Sequence, residues 1–384
     1  MRIIYLSNTL LEDDFEILKK DINNLINPSN QNFHYRFLSA LSLHTHLEAF
    51  SLRPFLKKNE SVSLVNKVSL SNENLSFTYL PNKNTLIYKY LKRSSTIYKV
   101  LEKEIIKDKR QTIIIVDGLK YALAKVALKL RKYNHVKVYG IITDNPTLLS
   151  NESSLYSWLI LKQYEKYDGY FCLSEGLNKL ANVNNKPSYL FFGFAEEMPK
   201  QARPQKEAYF FTCGALYKRY GIINLIEAFL KLKTNNQLLI AGHGPLIKEI
   251  KEYEKKDQRI RYIGLLSRND ILKYEEHATL NINARLYDES LDQYSLPSKV
   301  LEYLASGTPL LSTIHTSLMN EYKDEVMWVK DDSEIGLNRA LNKFLKSDNK
   351  VLKEKALEAK RKVLNENSLK TQGGKIYAFL KDSN

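Results

Sequence analysis

Short apolar runs alternate with longer amphipathic segments along the first half of the chain. Five runs read as strands, Arg2–Leu6, Thr112–Val116, Val138–Thr143, Gly169–Leu173 and Ser188–Phe192, because each is brief, β-branched or aromatic, and bounded by turn residues. Segments with helical apolar spacing lie between them: Asn32–Leu43, Tyr90–Ile106, Leu119–Lys132 and Ser154–Tyr164. Strands separated by helices of this length build βαβ units and a mostly parallel sheet. The polar, proline-bearing stretch Glu196–Glu207 interrupts the pattern as a linker. Beyond it the alternation resumes, with strands at Tyr209–Cys213, Gln237–Ala241, Ile260–Ile263, Thr279–Asn283 and Leu310–Ser312. The intervening helices are Ile222–Lys231, one reaching about Glu254, Asn269–His277 and Pro297–Ala305, and Lys- and Glu-rich helical segments close the chain. The expected fold class is α/β: two Rossmann-like doubly wound domains, with ligand held where strand C-termini face a cleft between them. No internal repeat points to a solenoid.

Composition narrows the class. A chain of 384 residues that is 43% hydrophobic, with 14 Gly and 10 Pro, is globular rather than disordered or collagen-like. The formal charge of +15 implies an anionic partner, which can be nucleic acid, an acidic lipid surface or a phosphorylated ligand. Most of it is local: residues 51–150 hold 19 Lys and Arg against 7 acids. In Tyr88–Lys103 and Lys129–Lys132 cations alternate with tyrosines or leucines at helical spacing. That pattern suits either an interfacial helix on anionic lipid or a solvated helix face. Nucleic acid is the weaker candidate, since the tyrosines follow no RNA- or DNA-binding module. Cys172 and Cys213 sit in apolar runs and read as small buried hydrophobes, with no disulfide framework. The N-terminal apolar run is too short for a signal peptide, and no window is apolar enough to span a bilayer. A cytoplasmic protein is expected, touching membrane only peripherally.

The most informative segment runs from Tyr294 to Leu311. Ser295 is placed as an N-cap, Pro297 near the first helical position and Gly307 at the helix end. The N–H groups and dipole at such a helix start form an anion site, to which Ser298 and Lys299 belong. Glu302 lies one turn further along the same face, where a sugar attached to a bound phosphate would reach it. The competing reading is a capped surface helix with a Lys299–Glu302 ion pair.

This segment closes a series: Gly214–Phe229 after a strand, Leu238–Pro245, Tyr262–Gly264, Ile282–Arg285, then the Pro-Ser-Lys-Val-Leu-Glu-Tyr-Leu-Ala-Ser-Gly-Thr-Pro helix. In that order the motifs resemble the GT-B glycosyltransferases, specifically the large family-4 group of retaining enzymes with nucleotide-sugar donors. The resemblance implies a donor domain at 195–367, an acceptor domain at 1–194, and a C-terminal helix at about 368–384 that can pack back on the latter. It implies that Glu302 matches the closing glutamate of a Glu-x7-Glu signature that binds the nucleotide ribose. The opening glutamate falls on Tyr294, and the Arg and Lys that usually grip the diphosphate fall on Ala215 and Tyr220. The cationic role then passes to Lys218, Arg219, Arg285 and Lys299.

The Gly242-His-Gly-Pro245 turn lets backbone approach a ligand at Gly244 or lets the next helix pack closely, and His243 reads as an exposed turn residue. In the first domain Asp144 ends a strand, where it either acts catalytically, accepting the acceptor hydroxyl proton or stabilising positive charge on the anomeric carbon, or caps an Asx turn before Pro146. Ser174 and Glu175 resemble a serine–glutamate turn of structural character. No glycine pair follows the first strand, and Asn32-Phe-His34 starts the next helix either as a cap or lining the acceptor site. No His/Cys/Asp cluster has metal-ligand spacing, so a metal-independent mechanism without cofactor is expected, with helix dipole and cations stabilising the departing diphosphate.

The leading expectation is therefore a glycosyltransferase moving a sugar from a nucleotide diphosphate, expected to be UDP, to a carbohydrate acceptor. The basic segment 88–132 suggests a lipid-linked acceptor, a place at the inner face of the membrane and a role in surface polysaccharide synthesis. Two other readings compete. One is a catalytically silent GT-B subunit that chaperones or recognises substrate for a partner, and the other a nucleotide-sugar epimerase on the same fold.

Overall fold

A computed structural model describes residues 1–18, 28–55, 60–68, 74–149, 153–197, 202–295 and 298–383. The chain divides into two compact units: Met1–Phe194 with Gln293–Leu296 and Leu369–Asn384, and Ala195–Asp292 with Pro297–Ser368.

The first unit is built on strands β1 (Arg2–Ser7), β2 (Leu47–Ser51), β3 (Ser61–Val62), β4 (Val65–Val68), β5 (Leu75–Tyr79), β6 (Asn82–Lys83), β7 (Thr112–Asp117), β8 (Val136–Ile142), β9 (Gly169–Cys172) and β10 (Ser188–Leu190). Its eight-stranded sheet has the order β10-β9-β8-β7-β1-β2-β5-β4, parallel except for β4, and β3 pairs separately with β6. The runs in β1 and β7 are apolar without interruption because both faces of a parallel sheet are covered. Alternate residues feed two cores. Ile4, Leu6, Ile114 and Val116 pack under the helices Arg93–Lys107, Tyr121–Leu130 and Ser154–Tyr164. Ile3, Tyr5, Ile113 and Ile115 face the helices Pro28–Ser42 and Leu369–Asp382. The last helix comes so close to the Pro28–Ser42 helix that a Cβ on Gly373 would sit 2.0 Å from the Ala40 carbonyl oxygen.

The second unit holds β11 (Tyr209–Ala215), β12 (Gln237–His243), β13 (Ile260–Gly264), β14 (Leu280–Asn283), β15 (Leu310–Thr313) and β16 (Met327–Val329), all parallel in the order β13-β12-β11-β14-β15-β16. Strand order reverses between β11 and β14, the kind of switch point where doubly wound sheets bind ligands beyond their carboxyl ends. Ala195 N–H donates to the Asn367 carbonyl at 2.8 Å, so the chain enters and leaves this unit at adjacent points.

Several elements depart from the expected pattern. β2, β4, β5 and β16 fall in stretches without a strong strand signal. In β2 a glutamate sits amid the apolar residues, and it is stable there because Arg2 meets Glu48 bidentately at 2.6 Å. The helix expected at Tyr90 begins at Arg93, after a π-helical turn at Tyr88–Lys92. The helix expected at Asn32 begins at Pro28, which puts His34 inside it rather than at its cap. Among the described residues no helix is long and apolar enough to cross a membrane.

Candidate functional site

At the carboxyl edge of the second sheet, β11 and β12 each carry a glycine one residue before the strand end, Gly214 and Gly242. Gly214 has φ +147° with open space where a Cβ would point, and Gly242 has φ +136° with its Cβ position 1.8 Å from the Gly214 carbonyl oxygen. The edge is thus bare backbone, open in front of Gly214. Gly244 lacks room for a different reason: a Cβ there would fall 2.4 Å from the Leu216 carbonyl, so close chain packing accounts for it.

Beside this edge stands the helix Ser298–Ser306, which buries Val300, Leu301, Leu304 and Ala305 and stops before Gly307 at φ +74°. Pro297 lies outside the described residues. Lys299 and Glu302 share the open side, with Nζ 2.6 Å from Oε2. The helix Arg268–His277, capped by Ser267, adds two groups. Arg268 places Nη1 3.7 Å from Glu302 Oε1 and Nη2 2.5 Å from Glu196 Oε2. Glu275, completely buried, holds Oε1 3.4 Å from Lys299 Nζ, while the Cys213 thiol donates to the same oxygen at 3.5 Å. The Tyr303 hydroxyl accepts from Cys213 N–H at 3.0 Å, tying helix to strand.

Burial sets the protonation of this cluster. It pushes the Glu275 carboxyl up to about 7 and the Cys213 thiol up to about 12, so Cys213 is a neutral donor rather than a nucleophile. Burial also opposes the Lys299 charge, but Cys213, Glu302 and Glu275 outweigh it and hold the ammonium well above the ordinary lysine range. Two cations and a carboxylate at 16% exposure thus stand at a helix start, an arrangement suited to an anion carrying a diol.

A second feature adjoins the same edge. Asn283, Arg285, Asp288, Asp292, Thr313 and His315 line a small recess beyond the ends of β14 and β15, of about 10 Å³. His315 Nε2 lies 3.3 Å from Asp292 Oδ1, and Thr313 Oγ1 donates to the Arg285 carbonyl at 2.5 Å. Lys218 and Arg219 sit exposed on a short 3-10 turn after β11, with the Arg219 guanidinium over the Tyr220 ring at 5.1 Å. Ser298 is exposed at the helix start. Tyr294 packs on the core of the first unit, and Ser295 belongs to the same stretch, whose Gln293 carbonyl accepts from Ser174 Oγ at 2.6 Å. Ser174 also caps the helix Glu175–Ala181.

In the first unit Asp144 is exposed just past β8. The Asx turn before Pro146 belongs instead to Asn145, whose Oδ1 accepts from Thr147 N–H and Oγ1. His34 is fully buried between Tyr5 and Asp117: the Tyr5 hydroxyl is 2.6 Å from Nδ1, and Asp117 Oδ2 is 3.1 Å from Nε2. Burial acts against the Asp117 charge, yet His34, Lys120 and the Leu119 N–H outweigh it and hold the carboxyl down at about 2. Glu275, Arg268 and Asp117 carried no sequence signal, because Glu275 and Arg268 are two of several charged residues on their helix and Asp117 is an acid at a strand end.

Residues 193–366 match the profile of the Glycosyl transferases group 1 family. Across the whole chain the fold is similar to those of sucrose-phosphate synthase from Thermosynechococcus elongatus (TM-score 0.68, 13% identity, 100% of both chains) and of an α,α-trehalose-phosphate synthase (UDP-forming) from Burkholderia vietnamiensis (0.69, 11%, 100% of this chain and 97% of that one). It is also similar to that of Anabaena HepE in complex with UDP and glucose (0.70, 9%, 100% of both). Comparison with curated proteins gives no match in sequence. The match to the group 1 glycosyltransferases thus covers residues 193–366, and the whole chain has the GT-B fold.

Proposed function

We propose that the enzyme transfers a sugar from a UDP-sugar to a carbohydrate acceptor, without metal. The observation that carries this reading is the Lys299–Glu302 pair at the first turn of its helix, backed by Arg268 and fronted by the glycine edge of β11. Lys299 and the helix dipole take the diphosphate, and Glu302 accepts the ribose hydroxyls. Structures similar in fold were solved with UDP and glucose or with UDP-2-fluoro glucose, which favours uridine as the base. In the transfer the acceptor oxygen bonds to the anomeric carbon as its bond to the diphosphate breaks. The cations stabilise the charge gathering on the leaving group, and Asp144 accepts the acceptor proton.

The excess of cations in residues 51–150 supports a lipid-linked acceptor at the inner face of a membrane and a role in surface polysaccharide synthesis. A screen of UDP-sugars read by release of free UDP, with and without saccharide acceptors, tests the reaction. Acceptor-dependent release is expected. Interconversion of the donor sugar without acceptor would instead identify an epimerase, and the absence of both release and nucleotide binding would leave a silent subunit.

A further inference from the structure

The helix Ser154–Tyr164 carries large apolar residues on its outward side as well as on its core side. Its buried side carries Ser157 and Gln163 beside Ile160 and Tyr164. Ser157 Oγ donates to the Pro146 carbonyl at 2.8 Å, and Gln163 Nε2 to the Tyr121 carbonyl at 3.3 Å, which fixes this orientation. The outward side carries Leu155 and Trp158, at 67% and 53% exposure. An amphipathic helix normally turns such residues to the core.

A second apolar group stands nearby in the fold. Leu86, Ile87 and Leu91, at 72%, 70% and 77% exposure, surround the π-helical turn that precedes the helix Arg93–Lys107. That helix, Tyr121–Leu130 and Ser154–Tyr164 pack in sequence over one face of the first sheet. Each runs antiparallel to the strands it joins, so both apolar groups lie at the carboxyl edge of the sheet. Lys92 directly follows Leu91, and Lys99, Lys103, Lys125, Lys129 and Lys162 are exposed further along the same three helices.

We propose that Leu155 and Trp158, together with Leu86, Ile87 and Leu91, insert into an anionic lipid bilayer, with these lysines on its headgroups. Aliphatic side chains, one Trp and exposed lysines are the chemistry that binds the interface between headgroups and acyl chains. A second copy of the chain fits poorly, because a twofold contact would set these lysines against their own copies. The proposal rests on the membrane location put forward above and extends it to a helix outside segment 88–132.

The experiment uses the full chain with Trp328→Phe, which leaves Trp158 as the sole indole. It is mixed with vesicles of phosphatidylcholine alone and of phosphatidylcholine with 30% phosphatidylglycerol. Co-flotation with the anionic vesicles, weakened by salt, and a blue shift of Trp158 emission quenched by brominated lipid are expected. Leu155→Gln with Trp158→Gln, made in the natural background, is expected to lower vesicle affinity at least tenfold while UDP release with a soluble acceptor stays unchanged. No flotation, unshifted Trp158 emission, or equal binding by the double variant overturns the proposal, as does binding to a nucleic acid in preference to the vesicles. If the double variant loses vesicle binding while neither protein releases UDP, the docking surface stands and the reaction assigned above fails.

Discussion

Glu275 and Lys299 meet at 3.4 Å inside the second unit, a fully buried carboxyl against an ammonium that keeps 30% of its surface exposed. Because burial raises the carboxyl to about 7, the folded chain holds that proton more tightly than the unfolded chain, where it leaves near 4.3. The resulting stability is full below about pH 4 and is lost as pH rises through 7. Urea unfolding is therefore expected to show stability falling between pH 5 and 8, and Glu275→Gln is expected to remove most of that slope, on the order of 2–3 kcal/mol. An unchanged slope in the variant would refute the assignment.

The buried Asp117 has the opposite sign. Its carboxyl, held at about 2 beside His34, stabilises the fold above its unfolded value near 3.9, and that stability is lost as pH falls through 2. Removing His34 leaves the charge without its partner, so His34→Ala is expected to cost about 3–5 kcal/mol at pH 7. Most of that loss should be recovered in His34→Ala combined with Asp117→Asn. Denaturant titrations of the three variants check this, and equal stability of the single and double variants contradicts it.

The two glycines at the sheet edge separate a structural role from a binding one. Gly242→Ala drives a Cβ to 1.8 Å from backbone and is expected to cost more than about 3 kcal/mol. Gly214→Ala meets only open space, so its cost is limited to the strained φ, about 1–2 kcal/mol. Its larger effect should be on UDP affinity, since its methyl group occupies the space in front of the edge. Melting curves and calorimetry on both proteins distinguish the two effects.

Lys299 and Glu302 are expected to act at different stages. Lys299→Ala removes a cation at the developing diphosphate charge and should lower kcat by about 10²–10³-fold. Glu302→Gln keeps the shape but loses a charged acceptor for ribose hydroxyls, so its effect should fall chiefly on KM for the donor. Steady-state kinetics with varied donor separates them.

Much of the second unit was legible because its strands are short apolar runs punctuated by Gly214, Gly242, Gly264 and Gly307, and four of those turns need positive φ. The Lys299–Glu302 pair followed from helical spacing and was found at 2.6 Å. What sequence could not show was which polar residues would be buried against it. Glu275 lies on a helix rich in charge, and nothing local distinguishes it from Glu276, its neighbour on the same turn. In the first unit, β2 and β5 were hidden because their stability comes from distant partners, Arg2 with Glu48 and Asp14 with Tyr79. The tyrosines of the basic segment also proved partly structural. Tyr98 is buried, with Lys129 over its ring at 4.2 Å, and Lys132 is tied to Glu102 at 2.7 Å.

The central claim is that the helix start at Lys299 and Glu302 holds a uridine diphosphate, and UDP titration by calorimetry addresses it most directly. The natural chain is expected to bind UDP with micromolar affinity. Lys299→Ala and Glu302→Ala should each weaken binding at least tenfold while retaining the native far-ultraviolet dichroism and melting transition. Equal affinity in all three folded proteins, or no UDP binding by the natural chain, would contradict the account.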